Sequence, residues 1–434
     1  MSIRQNFPTT PPSLVLDFAN SKTLDPRITF SRTTTATRMN ELGLIETVDA
    51  DVARFDHEYD ASTGVIKSLG LLVEDSRVNY NTYTEDPTQW NTANMVSTGN
   101  SVTLPTGEVS TTIEYKGETT DANNKFIRPT VSGSAITAGD TWTYSGFYKK
   151  GTTNGERYVH IVLQNNSAGE GIGRRFDFDI GNWASSLGLN NVTVADSGFE
   201  KYPNGWFRIW MTCTFPSASG AVQTFTRLFT NSTSIPYDTS FSLWGAQLEK
   251  APFYSSYIPN DTGSQKTRNP DTVTMTGDNF SDWYNPSEGT FYVSSSFYAD
   301  GGAGQLIFQI DNGSNANRNG ITFRNELSGN QIRPFDVNYS ASPAGFDLWT
   351  HTGSVINTDY KTAFALKSND MAAVTNYPEG SLGLDSSTSR ILQEKTTLRL
   401  GSGISNISPL NGHISKLTYY PTRLSNDQLQ NLTK

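Results

Sequence analysis

Cysteine is almost missing from this chain: Cys213 stands alone among 434 residues. A single thiol excludes an internal disulfide framework and a thiolate-held metal cluster, and it points to folding in a reducing cytoplasm. Charge is scarce as well. Asp, Glu, Lys and Arg make up 17% of the chain, against roughly 25% in soluble proteins generally. Acidic residues number 42 and basic ones 33, for a net charge of −9. No basic field is available to recruit a phosphate backbone, so nucleic-acid binding is not expected. No apolar run reaches the ~18 residues of a membrane-spanning helix, and Met1 to Pro8 lack the apolar stretch of a secretion signal. Neither membrane insertion nor leader-directed export is therefore expected. Repeats of about 20 to 50 residues, heptads and triple-helical glycine periods are absent too, which leaves the chain without a fibre shaft of its own.

What is abundant suits sheets. Aromatics reach 12% and glycines number 36, supplying large side chains for pleated, half-buried faces and permissive residues for turns. Strict alternation marks strands at Thr141–Tyr148, Arg157–Gln164, Trp206–Cys213 and Phe225–Phe229, and again at Gly289–Phe297, Gln305–Ile310, Lys361–Leu366, Thr397–Leu400 and His413–Tyr420. The expected fold is all-β, with two jelly-roll or sandwich domains. Pro8, Pro11 and Pro12 make residues 1–13 an extended arm. Residues 14–84 read as a small N-terminal β segment that anchors the protein, 85–259 as a first sandwich and 260–434 as a second. The junction is set at Ile258–Gln265, where Pro, Asn, Asp, Gly and Ser follow a strongly patterned strand. One short helix closes the chain, opened by the capping-box residues Ser425 and Gln428, with Leu424, Leu429 and Leu432 on one face against a sandwich edge.

Three segments carry a resemblance: Leu16–Arg32, Arg54–His57 and Leu69–Asn79. Together they resemble the opening of head-spike or tail-fibre-like structural proteins of tailed bacteriophages, with the match strongest over residues 14–90. Phe241–Lys250 with Ser255–Pro259, and Asn204–Arg208, resemble strands of that family's carbohydrate-binding-module-like sandwich. Leu410–Pro421 with Leu424–Leu429 is similar to the end of its laminin-G or concanavalin A-like lectin domain. The resemblance implies a place on the virion surface, manufacture in the cytoplasm of a bacterial host, other virion proteins as partners, and a homo-oligomer, with a trimer as the guess. It brings no assigned site residues.

Catalytic chemistry finds little purchase. A concanavalin A-like glycanase needs Glu-x-Asp-x-x-Glu on one strand, and Glu58-Tyr-Asp60 starts that pattern only to meet Thr63 where the third carboxylate belongs. The pair reads as a solvated loop in a turn-rich segment. No nucleophile elbow and no His-Glu-x-x-His occur, and His57, His160, His351 and His413 show no pairing. The chain is expected not to be an enzyme. Gly169–Gly173 reads as a β-turn before a strand, lacking dinucleotide-loop spacing. Asp177 and Asp179 share a strand face and are candidates for a structural Ca²⁺; no other cofactor is expected.

Glycan recognition combines aromatic faces with amide and charged groups. If Val159, Ile161 and Leu163 face the core, Tyr158, His160 and Gln164 line the opposite face. Tyr148 and Arg227 could join them from other strands, with Trp183 as a loop platform. Trp142, Trp206 and Trp244 are read as core. The leading reading is thus an exterior virion fibre, spike or decoration subunit able to bind a host-surface glycan through many weak contacts. A polysaccharide-degrading enzyme and a purely architectural capsid or tail joint remain the alternatives.

Overall fold

The computed structural model describes residues 7–117, 125–152, 157–165, 167–184, 188–218, 220–228, 240–297, 304–326, 329–338, 345–348, 351–352, 357–376, 379–384 and 392–434. Within them the chain is all-β, with three short α-helices. In the first sandwich, a six-stranded sheet runs Thr193–Lys201, Phe207–Thr214, Thr141–Lys150, Ser240–Glu249, Glu114–Gly117, Met95–Ser97. Its partner sheet has seven strands, with Tyr158–Asn165 between Glu170–Asp177 and Val222–Leu228. Because side chains alternate along a strand, Trp142, Tyr144 and Tyr148 meet Val159, Ile161, Leu163 and Phe176 between the sheets.

The six-stranded sheet is covered on its other side as well. Phe147, Trp206, Trp244 and Tyr257 pack there against Ile45, Val102 and Leu104. All three tryptophans read as core are buried, Trp206 and Trp244 in this second layer. Ser240–Glu249 is consequently buried at every position, and two of its polar residues, Gln247 and Glu249, bond each other. Gln247 Nε2 donates to Glu249 Oε2 at 2.8 Å, and Glu249 also accepts from the Ser255 hydroxyl at 2.6 Å.

The second sandwich has two eight-stranded sheets, and here the chain departs from the expected layout. Residues 14–84 do not form a segment of their own. Leu14–Leu16 and Val65–Val73 both pair with Gly412–Tyr420, and Arg54–Asp60 follows Val65–Val73 as the edge strand. Thr29–Ser31 joins the facing sheet beside Thr272–Thr276. Leu14, Leu16, Phe18, Phe55, Leu71 and Val73 sit in the same core as Phe291, Phe308 and Tyr419. The reason is economy of surface: strands of three to nine residues with one apolar face cannot bury it alone and need a larger sheet stack. Gly70 permits the close approach. Its φ is +91°, and a Cβ there would lie 2.4 Å from the Ile414 carbonyl oxygen.

The junction is tied down too. Lys266–Arg268 pairs with Arg77–Asn79, and fully buried Asn260 donates to the Asn81 and Ser264 carbonyls at 2.8 Å each. Beside it lies a charge network whose side chains are wholly buried. Arg54 donates to Glu74 at 2.7 Å and to Asp271 at 2.5 Å; Arg268 donates to Glu74 at 2.5 Å; Arg32 donates to Asp271 at 3.0 Å. Arg32, Arg54 and Glu74 all belong to the three segments that resembled the phage proteins.

Of the expected arm, residues 1–6 lie outside the described residues and 7–13 carry no regular structure. The closing helix is Asn426–Leu432, with the capping box between Ser425 and Gln428 in place. Leu424 and Leu429 pack against Ala363, Ala365, Ala372 and Val374, so the helix lies across the strands near one end of their sheet.

Candidate functional site

The outer face of the seven-stranded sheet gathers part of the expected set. Val159, Ile161 and Leu163 are turned inward with 0 to 1% exposure, which leaves Tyr158, His160 and Gln164 half-buried on the opposite side. Register completes the row. His160 stands directly between Arg227 on Val222–Leu228 and Arg175 on Glu170–Asp177, and residues so opposed share a face. His160, Gln164, Arg227 and Asn190 line a shallow depression of about 340 Å³. Its floor is glycine: a Cβ on Gly171 would come within 2.7 Å of Gln164 Cβ, and one on Gly173 within 2.9 Å of His160 Nε2. Side chains there would fill the space a ligand could use.

Electrostatics follow from that row. Burial first, then the neighbouring Arg227 and Arg175 guanidiniums, push the His160 imidazole down to about 4. It is therefore neutral at pH 7, able to donate from one nitrogen and accept at the other. Tyr158 lies at the end of the row, with the Arg157 and Arg175 guanidiniums 5.1 and 5.6 Å from its ring centre. The patch is cationic although the chain as a whole is acidic. Its histidine also has a stability signature. An unfolded-state imidazole titrates near 6.5, so between roughly pH 6.5 and 4 the unfolded chain takes up the proton that the folded chain refuses. Stability should fall as pH drops through that window, and His160→Gln should flatten this part of the pH profile of the urea midpoint.

Two expected members are elsewhere. Tyr148 has no exposed surface; its hydroxyl lies between the sheets, 2.8 Å from both the Tyr144 hydroxyl and the Thr226 hydroxyl. Its position was legible: Trp142 and Tyr148 are an even number of residues apart on one strand, so a core Trp142 implies a core Tyr148. Trp183 forms a short strand with Asn182 and sits opposite Phe176, its ring packed edge-on at 5.6 Å. Arg174 covers its other side at 4.6 Å. It seals the sandwich edge and offers no platform to the Tyr158 face.

The candidate Ca²⁺ carboxylates are occupied by the protein's own cations. The strand ends at Asp177, which accepts from Arg157 at 2.8 Å and from the Asp179 backbone N–H at 2.9 Å. Asp179, in the turn beyond, takes Lys150 at 2.6 Å. No cluster of three His, Cys, Asp or Glu able to hold an ion occurs among the described residues. Turn residues Ser167–Gly169 precede Glu170–Asp177, so the expected turn at Gly169–Gly173 is mostly strand.

A second concavity escaped the sequence entirely. A cleft of about 660 Å³ lies between the two sandwiches, lined by Asp56, His57, Glu58, Glu200, Tyr202 and Tyr254 among others. The Glu58-Tyr-Asp60 stretch, expected as a solvated loop, is the end of the edge strand Arg54–Asp60 and borders this cleft. Asp60 is held by Lys67 at 2.8 Å. Asp56 accepts from the Met39 backbone N–H at 2.7 Å and lies 3.0 Å from His413 Nε2. Glu200 accepts from the Tyr254 hydroxyl at 2.5 Å; burial, above all, pushes its carboxyl upward. The walls come from positions hundreds of residues apart, which no local pattern could join.

No protein-family profile matches the chain, and no curated protein matches it. Solved structures do. The CBM40 module of the Ruminococcus gnavus IT-sialidase, bound to α2,3-sialyllactose, aligns at 15% identity and a TM-score of 0.29, over 34% of this chain and 83% of that one. Trypanosoma rangeli sialidase aligns at 10% identity and a TM-score of 0.28, over 74% of this chain and 60% of that one. Mouse laminin α1 domains LG4-5 align at 8% identity and a TM-score of 0.24, over 65% and 84%.

Proposed function

We propose that this chain is an exterior structural protein of a tailed-phage particle, a fibre, spike or decoration subunit, whose first sandwich binds host-surface glycan. The observation that carries the binding role is the convergence of His160 and Gln164 from one strand and Arg227 from its neighbour onto one glycine-floored depression. An amide, a neutral imidazole and a guanidinium are suited to sugar hydroxyls, and the Arg227–His160–Arg175 row favours sugars bearing a carboxylate. The virion placement is supported by the motifs over residues 14–90. Because Leu14–Leu16 through Val65–Val73 are bound into the second sandwich, anchoring falls to the arm before Ser13 and to surfaces of that sandwich. Weak single sites suffice when many copies on one particle raise the effective concentration.

The test is surface plasmon resonance of the full chain over immobilised acidic and neutral bacterial polysaccharides. Wild-type protein should bind, with acidic polymers favoured. Arg227→Ala should weaken binding by about tenfold or more, the worth of one charge-assisted hydrogen bond, with its thermal midpoint little changed because Arg227 is half-buried on an outer face. Equal binding by Arg227→Ala, or no binding to any polysaccharide, would count against the sheet-face site.

A further inference from the structure

We propose that Lys395 and Asn317 are joined side chain to side chain by an isopeptide bond that the folded chain forms on itself. Asn317 opens the strand Asn317–Glu326, and Lys395 lies just before the strand Thr397–Leu400. Those two strands flank Gln305–Asp311 on either side. Both are pinned at Asp311: the Thr396 N–H donates to the Asp311 carbonyl oxygen at 2.8 Å, and Arg318 stands opposite Asp311 in register. Lys395 and Asn317 therefore meet, although the sequence holds them far apart. Lys395 is 5% exposed. Its Nζ donates to Asn317 Oδ1, and Asn317 Nδ2 donates to the Glu394 carbonyl oxygen at 3.3 Å. The half-buried carboxamide is thus held with its C=O toward the amine. Alternation puts Asn317 and Asn319 on one face of their strand, and buried Asn319 donates to buried Asp336 at 2.7 Å. An amine, a carboxamide and a carboxylate share one rim of the second sandwich.

Amide exchange between lysine and asparagine requires these three groups. An ammonium has no lone pair, so the amine must first be neutral. Burial pushes the Lys395 amine down to about 8, against the pull of Asp336 and Asp311, and roughly a tenth of it is neutral at pH 7. Cγ of Asn317 lies one C=O bond, about 1.23 Å, beyond the oxygen that Nζ already touches. Groups held together in this way react as though at very high concentration. Nζ attacks Cγ and the Nζ–Cγ bond forms. One proton passes from Nζ through the Asp336 carboxylate to Nδ2, the Cγ–Nδ2 bond breaks, and ammonia leaves. The product is a secondary amide, and nothing is oxidised or reduced. The chain gains in this way what its single, buried Cys213 denies it: a covalent staple between strands, closed without an oxidising compartment.

Mass spectrometry of the full-length protein is the test. The intact, denatured chain should be lighter than its sequence by one ammonia. Trypsin should release Ile391–Arg399, uncut after Lys395, as a branched species joined to the peptide that carries Asn317. Ring closure at Asn312-Gly313 or Asn319-Gly320 also sheds ammonia, but it leaves linear peptides and a normal cut after Lys395. Lys395→Arg and Asn317→Ala should each have the full sequence mass. Asp336→Asn should form the bond about a hundredfold more slowly, the ordinary worth of a positioned proton carrier. The proposal is overturned if the wild-type chain has its full mass, or if the lost ammonia maps to a linear peptide. A bond formed equally fast in Asp336→Asn overturns the role given to Asp336. Should the variants fail to fold, the branched wild-type peptide still decides.

Discussion

Glu74→Ala is expected to destabilise the protein by about 3–5 kcal/mol, the cost of breaking a buried ion pair from one side. Glu74 receives Arg54 at 2.7 Å, Arg268 at 2.5 Å, and the Ser256 backbone N–H and hydroxyl at 2.8 and 2.6 Å. Removing it leaves two guanidiniums without their shared counterion, in a place water does not reach. Chemical denaturation followed by tryptophan fluorescence reads the loss directly. Asp25→Ala is the control: the Arg27–Asp25 pair is partly solvated, with 32% and 18% of its side chains exposed, and pairs of that kind contribute about 0–1 kcal/mol. The two losses should differ severalfold. Equal small losses would mean that the network does not hold the junction. The network also sets an acid limit. Burial works against the Glu74 carboxylate, but Arg268, Arg54 and Ser256 outweigh it and hold its pKa well below the ordinary range. Its contribution is therefore complete above the unfolded-state value near 4.3 and is lost as pH falls from there through the depressed folded value.

A fragment spanning residues 260–434 should fail to fold cooperatively, although it contains most of the second sandwich. It lacks Leu14, Leu16, Phe18, Phe55, Leu71 and Val73, all buried in that core. Each is worth roughly 1.5–3 kcal/mol of burial, so the deficit is on the order of 10 kcal/mol, comparable with the 5–15 kcal/mol of a whole domain. The strand Gly412–Tyr420 would also lose two neighbours and become an open edge. Far-UV and near-UV circular dichroism with a thermal melt gives the answer. The expected result is no sharp transition and no near-UV signal. A cooperative melt like that of the full chain would show that the N-terminal strands are dispensable.

What the sequence reveals and what it hides divide along one physical line. Alternation is local, so strands such as Thr397–Leu400 emerge at their observed bounds, and Tyr158, His160 and Gln164 fall on the face expected of them. Where both faces of a sheet are covered the pattern blurs, as in Ser240–Glu249, whose buried Gln247 and Glu249 look like solvent-facing residues until their partners are seen. Pairing partners are not local at all. Nothing in residues 65–73 announces that their neighbour is Gly412–Tyr420, so the N-terminal segment read as a unit of its own. The cleft shares that cause. His57 looks solitary until the fold brings Glu200, Tyr254 and His413 to the same concavity.

The sheet face proposed to bind glycan can do so only if it points away from the proposed particle. Cryo-electron microscopy of purified virions, with this chain traced in the map, is the most direct test. The account predicts the chain on the exterior, attached through its N-terminal arm and second sandwich, with the Tyr158–Asn165 face open to solvent. Absence of the chain from the particle, or that face buried against another virion protein, would contradict it.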